Sequence, residues 1–203
     1  HELVRTLQPG AMMFSDAGPD VRWVGNEHGF AYETTWSNLM RDSVYAGMPE
    51  FSEKWADGQE NGTHWVPAES DVSIRPGWYY HAYEDHKVKT LPQLLEIYYN
   101  SIGRNSSMLI NFPVDSRGLI HEKDEAAILA LGKKIEADFS VNLAAQVVVS
   151  ASESRGSGYD AAQVLDGDYE TYWTTSDGVI SASLELDFGK ETEFNRLLLQ
   201  EFT

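Results

Sequence analysis

The sequence predicts a chain of two units, an α/β unit followed by an antiparallel β-sandwich. Helical and strand patterns alternate as far as residue 139, which is typical of a parallel sheet or barrel. From about residue 141 short strand patterns lie between Gly, Ser and Asp turns, and no helical pattern of any length recurs. With 203 residues the chain exceeds the usual size of one domain. We therefore expect units over 1–139 and 140–203, the sandwich being incomplete.

The first elements come before a loop of unusual composition. Apolar residues on one face predict a helix that Pro9 and Gly10 end, and residues 11–14 form a short apolar run typical of a buried strand. The stretch GPDVRWVGNEHG, residues 18–29, then combines polar side chains with glycines that favour neither helix nor strand. Residues 30–64 show no periodicity, which favours a long functional excursion.

Four more elements complete the predicted α/β unit. A strand, a helix, a strand and a helix are expected over 72–74, 91–102, 108–112 and 124–139. The first of these helices has a strong start signal, because Thr90 and Gln93 can form a capping box and Pro92 lies in the first turn. Reactive residues of such folds gather on the loops that follow the strands, and residues 18–29 lie on one of these loops.

Composition excludes several classes of partner. The formal charge of −17, from 15 Lys and Arg against 32 Asp and Glu, argues against nucleic acid and anionic membranes as partners. Cysteine is absent, which excludes a disulfide scaffold and thiolate chemistry but fits both cytosolic and periplasmic or surface proteins. No apolar run is long enough to cross a membrane, and the N-terminal residues given do not predict a signal peptide. Because the chain starts within a helix pattern and ends within a strand pattern, we expect it to be a fragment.

Tryptophans on predicted loops indicate a carbohydrate site. Five of the six lie in the first 78 residues, at positions 23, 36, 55, 65 and 78. A pyranose ring presents a C–H face that packs on an aromatic ring, so loop tryptophans are candidates for binding sugar. The alternative is that long loops need large side chains to pack against.

Carboxylates on the same loops suggest glycoside hydrolysis, which generally requires two of them. The candidates on strand-end loops are Glu27, Glu69, Asp16, Asp20 and Asp71. Each could instead be a solvated or capping residue. Glu27 stands out, because Trp23, Asn26 and His28 surround it and glycines flank the group, giving a partly apolar setting that suits a working acid.

Other common chemistries lack their motifs. The six histidines do not have the close spacing of zinc sites, so we expect them to form hydrogen bonds rather than bind metal. The sequence contains no GxGxxG, P-loop or GxSxG motif, which argues against nucleotide binding and an α/β-hydrolase.

Three long stretches carry a family resemblance. They are GPDVRWVGNEHGFAYETTWS, WVPAESDVSIRPGWYYH and LLEIYYNSIGRNSSMLINFPVDSRGLIHEKD, which occur in this order within residues 1–139. Together they resemble glycoside hydrolase family 29, the α-L-fucosidases, and most closely the subgroup that cleaves α-1,3 and α-1,4 fucose linkages of Lewis-type glycans. The resemblance implies the C-terminal part of a (β/α)8-type barrel followed by a β-sandwich, and a retaining mechanism with an Asp nucleophile and a Glu acid/base.

The resemblance also assigns the catalytic pair. The acid/base is implied to be the Glu of the GNE motif, Glu27, with Glu69 of WVPAESD as the rival. The nucleophile is implied to lie before the first residue, because its usual tryptophan-phenylalanine-aspartate-glycine setting does not occur here. No cofactor is implied for catalysis.

Substrate contacts follow from the same resemblance. Trp78 of RPGWYY resembles the aromatic residue that packs on the fucose methyl group. Arg75 can donate to a sugar hydroxyl or pair with Glu69, the alternative for both Trp78 and Arg75 being a tight turn locked by an ion pair. Asp20, Arg22 and Trp36 are candidates for the subsite of the leaving sugar.

The second unit resembles a different module. AAQVLDGDYETYWTT and ASLELDFG are similar to discoidin-like sandwiches such as carbohydrate-binding module family 32. There the DGDxxT loop often holds a structural calcium, which implies Asp166, Asp168 and Thr171 as ligands here. The alternative is an Asp-Gly turn without metal.

The sequence thus predicts an exo-acting α-L-fucosidase whose partners are fucosylated oligosaccharides. The alternative from another class is a carbohydrate-binding protein without catalysis, in which the sandwich holds the glycan.

Overall fold

The computed structural model describes residues 1–202, with the backbone alone for residues 52 and 53, and the chain divides into two compact units, His1–Glu136 and Ala137–Thr203. The strands of the first unit are β1 (Phe14–Ser15), β2 (Val21–Trp23), β3 (Asn38–Leu39), β4 (His64–Trp65), β5 (Ala68–Ser73) and β6 (Ser106–Asn111). Its helices are α1 (Glu2–Leu7), α2 (Phe51–Lys54), α3 (Leu91–Ser101) and α4 (Glu122–Asp138). Among the described residues, no helix combines the length and the apolar character needed to span a bilayer.

Four parallel strands form the main sheet, in the order β1-β2-β5-β6. Trp23, the last residue of β2, lies opposite Glu69, and the loop after β2 continues beside the second half of β5, where Gly29 contacts Val72. The helix predicted after Thr90 is confirmed, including the capping box between Thr90 and Gln93. Leu94 and Ile97 of that helix pack with Val72 and Leu131, so α3 and α4 cover one face of the sheet.

Strand β2 corrects the prediction of an uninterrupted loop over residues 18–29. Its central residue, Arg22, is fully buried and lies opposite Ala68 of β5 in the parallel register. The guanidinium donates to the backbone carbonyls of Val66 (2.8 Å) and Trp36 (2.6 Å), and burial lowers the pKa of Arg22 to about 10. Because the buried residue of this short strand is an arginine, the order of apolar and polar residues around it does not predict a strand.

The excursion between β2 and β5 has a core of its own. Leu39, Phe51 and Val66 are buried together, and β3 pairs with β4 in an antiparallel hairpin. At Gly58, with φ of 84°, a Cβ atom would lie 2.3 Å from the carbonyl oxygen of Trp36, so only glycine fits there. The excursion is therefore a folded insertion and not an irregular segment.

The second unit contains β7 (Val148–Ala151) and β8 (Leu184–Asp187), paired antiparallel. The strands predicted near DGDYETYW and FNRLLLQ do not form within the described residues. Instead the Tyr172 ring stacks on Phe202 at 4.1 Å, and the Trp173 indole donates to the carbonyl of Glu153. The β-structure described in this unit is therefore the two-stranded sheet of β7 and β8.

Candidate active site

A cleft lies where the loops after β2 and β5 meet. Its lining residues come from both loops and from the end of β5: Glu27, His28, Val72, Ser73, Arg75, Pro76, Trp78 and Lys89. Both strands are parallel neighbours, so the chain brings these loops together at the carboxyl edge of the sheet. Of the cleft residues, Glu27 alone carries a carboxylate.

The loop that carries Glu27 is held by its neighbours. The Asn26 side chain donates to the carbonyl of Phe30 (2.9 Å) and accepts from the backbone N–H of His28 (3.0 Å). Gly29, with φ of 78°, lies so close to Val72 and Ile97 that a Cβ atom would approach both within about 3.0 Å. The backbone is fixed, while the Glu27 side chain remains exposed.

Trp78 makes the direct contact with Glu27. Its indole Nε1–H donates to Glu27 Oε2 at 2.8 Å, which links the loop after β5 to the loop after β2. The carbonyl of Trp78 accepts from Asn111 Nδ2 (3.1 Å) at the end of β6, and Asn111 also donates to Ser73. Ser73 Oγ donates to the carbonyl of Gly77 (2.7 Å). Three parallel strands therefore orient one tryptophan against one carboxylate.

Arg75 holds the loop after β5, which carries Trp78, through a buried ion pair. Its guanidinium is fully buried and pairs with Asp124 of α4 (2.8 Å) and with Asp85 (2.9 Å). The pairing holds the pKa of Asp85 below its usual range. Tyr80 lies over the guanidinium, with its ring centroid 4.7 Å away. The expected pairing of Arg75 with Glu69 is wrong, and the ion-pair-locked turn describes Arg75 correctly.

A role for Arg75 in binding a sugar hydroxyl stays a prediction. Two of its three nitrogens are used by Asp124 and Asp85, and its buried Nη2 has no hydrogen-bond partner among the described residues. Although Arg75 borders the cleft, Nη2 is closed off from solvent, so the placement of the guanidinium does not favour a direct hydrogen bond to a sugar.

Lys89 places a cation at the cleft. Its ammonium group donates to the carbonyl of Ser73 at 2.6 Å, and burial lowers the pKa of Lys89. The lysine therefore fixes the end of β5 beside Glu27 and supplies a donor toward the cleft.

Glu69 lies away from the cleft. It is the second residue of β5, four positions before Ser73, so about 13 Å of strand separates it from the carboxyl edge. Burial and the negative charge of Asp71 raise the pKa of Glu69. Asp71, on the same face, accepts a hydrogen bond from the indole of Trp23. The geometry favours Glu27 over Glu69 as the residue that reaches a substrate in the cleft.

Asp20 and Trp36 also lie outside the cleft. Asp20 precedes β2, while Glu27 follows it, and the Asp20 carboxylate pairs with Arg5 and accepts from the backbone of Met13 (2.7 Å). Trp36 serves through its backbone, which bonds Arg22 and Asp57. Arg22 is buried. A subsite role for these three residues stays a prediction that their placement does not favour.

The proposed calcium loop is closed by its own hydrogen bonds. Asp166 Oδ1 accepts from the backbone of Asp168 (2.9 Å), and Asp166 Oδ2 accepts from the Thr171 hydroxyl (2.7 Å). These bonds lower the pKa of Asp166. No group of three or more His, Cys, Asp or Glu side chains suited to a metal occurs in residues 1–202 as described. The arrangement fits an Asp-Gly turn, in which both carboxylate oxygens of Asp166 already accept hydrogen bonds and are not free to bind a cation.

Sequence reasoning missed three residues of the site. Asn111 and Ser73 are polar residues at the carboxyl ends of strands, which is a signal that the pattern of MLINF and VSI could have provided. Lys89 gave no signal, because its position depends on the path of a long loop.

Comparisons with known proteins identify the families that the two parts of the chain match. The sequence profile of the alpha-L-fucosidase family matches residues 1–138, and that of the F5/8 type C domain matches residues 148–202. Alpha-L-fucosidase 1 of Arabidopsis thaliana is 42% identical over 98% of this chain and 39% of its own length. The chain thus spans about two fifths of the curated relatives that it matches.

Solved structures are similar as well. A Ruminococcus gnavus GH29 fucosidase in complex with fucose shares 32% identity with a TM-score of 0.81, covering 94% of this chain and 40% of that one. A glycoside hydrolase 29 family member from an unknown rumen bacterium shares 41% identity with a TM-score of 0.64, covering 73% of this chain and 26% of that one. This chain therefore belongs to the alpha-L-fucosidase family, glycoside hydrolase family 29.

Proposed function

We propose that this chain is part of a retaining exo-α-L-fucosidase and that Glu27 is its general acid/base. The observation that carries the proposal is the hydrogen bond from Trp78 Nε1 to Glu27 Oε2, at 2.8 Å, in a cleft where Glu27 is the single carboxylate. Family membership and the fucose complex of the R. gnavus relative support fucose as the sugar.

The mechanism follows from the chemistry of retaining glycosidases. Glu27 would give its proton to the glycosidic oxygen as the bond to fucose breaks, while an Asp nucleophile from outside residues 1–203 forms a fucosyl ester. Glu27 would then take a proton from the water that cleaves this ester. Trp78 would hold the carboxylate in place and present its ring to the sugar.

The substrate class is the second part of the proposal. The resemblance described above favours α-1,3- and α-1,4-linked fucose of Lewis-type glycans. The net charge of −17 supports neutral glycans over anionic polymers. For the second unit, of the two alternatives at Asp166, Asp168 and Thr171, we propose the Asp-Gly turn over the structural calcium, because the loop is held by its own hydrogen bonds.

The test is substitution of Glu27 in the full-length protein. Glu27→Ala should slow cleavage of a Lewis-type trisaccharide on the order of 10² or more, while an aryl α-L-fucoside with a good leaving group is affected less, because such a group departs without a proton. Glu69→Ala is the matched control. If both substrates survive the Glu27 change, the assignment moves to Glu69, and fucose binding without turnover in the unaltered protein would favour the non-catalytic alternative.

A further inference from the structure

Aromatic side chains continue beyond the cleft on the loop that carries Trp78. Tyr79 follows Trp78 directly and is 80% exposed, and Tyr83 is 69% exposed. The His81 ring stacks on Tyr83, with centroids 5.3 Å apart and planes within 22°. Exposed rings that lie together on one loop beside a cleft form an apolar surface on which a ligand can pack.

The loop is rigid behind these rings. Tyr80 turns inward over Arg75, at 4.7 Å, while its neighbours Tyr79 and His81 face solvent. Asp85, at the end of the turn Ala82–Glu84, is tied to Arg75 at 2.9 Å, and Glu84 is buried. The buried ion pair therefore fixes the exposed rings in place, which lowers the entropy lost when a ligand packs on them.

Their position relative to Glu27 indicates the ligand. The proposed acid gives its proton to the oxygen of the leaving sugar, so that sugar must lie beside Glu27 and Trp78. His81 is three residues beyond Trp78, at most about 11 Å along an extended chain. The next sugar units of the leaving glycan are thus within reach of the exposed rings.

The chemistry of the rings also suits sugar. Tyr and His combine a flat apolar face with a polar edge, which matches the C–H face and the hydroxyl groups of a pyranose. The acidic chain disfavours nucleic acid or another polyanion on the same surface.

We infer that Tyr79 and the stacked pair His81 and Tyr83 form a binding surface for the leaving-group sugars of an oligosaccharide substrate. This inference rests on the proposed fucosidase function and adds the residues that discriminate a glycan from a simple fucoside. These three rings make up the aromatic platform.

The experiment compares two substrates in the full-length protein, an aryl α-L-fucoside and a fucosylated oligosaccharide. Tyr79→Ala should lower kcat/KM for the oligosaccharide about fivefold and the Tyr79→Ala/Tyr83→Ala variant about tenfold or more, with the aryl fucoside changed less than about twofold. Tyr79→Phe, which keeps the ring, should stay close to the unaltered protein. Tyr45→Ala is the control, because Tyr45 is 62% exposed but lies between β3 and α2, outside the loop that carries Trp78.

Two results would overturn the aromatic platform. An oligosaccharide rate unchanged in the double variant would show that the rings do not bind substrate. An equal loss on both substrates would show that they act through the cleft. If the unaltered protein cleaves neither substrate, the proposed function itself fails, and that outcome is separate from a platform failure, in which the aryl fucoside is still hydrolysed.

Discussion

Trp78 joins two loops through one hydrogen bond to Glu27, so its indole N–H has a role that its ring alone cannot perform. A hydrogen bond to a charged group contributes more than one between neutral groups. This contact orients an exposed carboxylate that nothing else within the described cleft holds directly.

Replacing the indole tests that contact. Trp78→Phe keeps an aromatic face but removes the donor, so kcat/KM for a Lewis-type trisaccharide, whose leaving group needs the proton of Glu27, should fall about tenfold. Trp65→Phe is the control, because Trp65 is 60% exposed on β4, outside the cleft. A Trp78→Phe rate equal to that of the control would show that the hydrogen bond does not matter.

Glu69 gives a prediction about stability. Its ordinary pKa is 4.5, and burial beside Asp71 raises it in the folded protein. The folded state thus holds this proton more tightly than the unfolded chain, and stability falls as the pH rises from about 4.5 through the raised pKa. Above that window the ionised carboxylate keeps a constant penalty.

Glu69→Gln removes the penalty. The variant should have a higher Tm than the unaltered protein at pH 7.5, and the difference should shrink at pH 4.5, where the native carboxyl regains its proton. Glu96→Gln, at an exposed position of α3, is the control. Equal or lower Tm for Glu69→Gln at pH 7.5 would contradict the raised pKa.

Among the elements, the turn after β5 depends on a buried ion pair with α4. Arg75 and Asp124 are both fully buried, so removing one partner leaves the other charge uncompensated. Arg75→Met should cost about 3 kcal/mol or more, seen as a lower Tm.

Two further variants separate this cost from general damage. Arg75→Met/Asp124→Leu should recover much of the loss, because no buried charge then remains between those positions. Arg117→Met removes pairs with Asp115 and Glu122 in which the Arg117 side chain is itself 51% exposed, so it should lower Tm less than Arg75→Met does. A single Arg75 variant as stable as the Arg117 variant would refute the buried-pair account.

The loop of the second unit gives a metal prediction. Since Asp166 already accepts hydrogen bonds from Asp168 and Thr171, we expect the Tm of the second unit to be the same with calcium and with a chelator. The measurement is a thermal scan under both conditions. A calcium-dependent rise that Asp166→Ala abolishes would instead support the structural metal ion.

Elements whose signals are local were predictable from sequence. The capping box of α3 needs four residues, and Thr90 and Gln93 form it as expected. Strand β2 was not predictable, because Arg22 is satisfied by carbonyls of a distant excursion and not by an apolar pattern. The same holds for β3 and β4, which exist through mutual pairing.

The candidate site divides in the same way. Glu27 and Trp78 were identified through a family motif, and the structure brings them together. Lys89 and Asp85 could not be assigned, since their partners lie on other elements. The sequence alone does not predict long-range hydrogen bonds and ion pairs, because these depend on the topology of the fold.

For the whole molecule, the two units have different internal support. The first contains buried clusters on the covered face of its sheet and within its excursion. In the second unit the described hydrophobic residues are mostly exposed, including Leu197, Leu198 and Leu199. The catalytic proposal therefore rests on the first unit.

Azide rescue of Glu27→Ala in the full-length protein tests the central claim most directly. If Glu27 is the acid/base of a retaining enzyme, azide should restore turnover of an activated aryl α-L-fucoside, because this anion can attack the fucosyl ester without a general base. The product should be α-L-fucosyl azide, with the configuration retained. No rescue, or a product with inverted configuration, would contradict the assignment of Glu27.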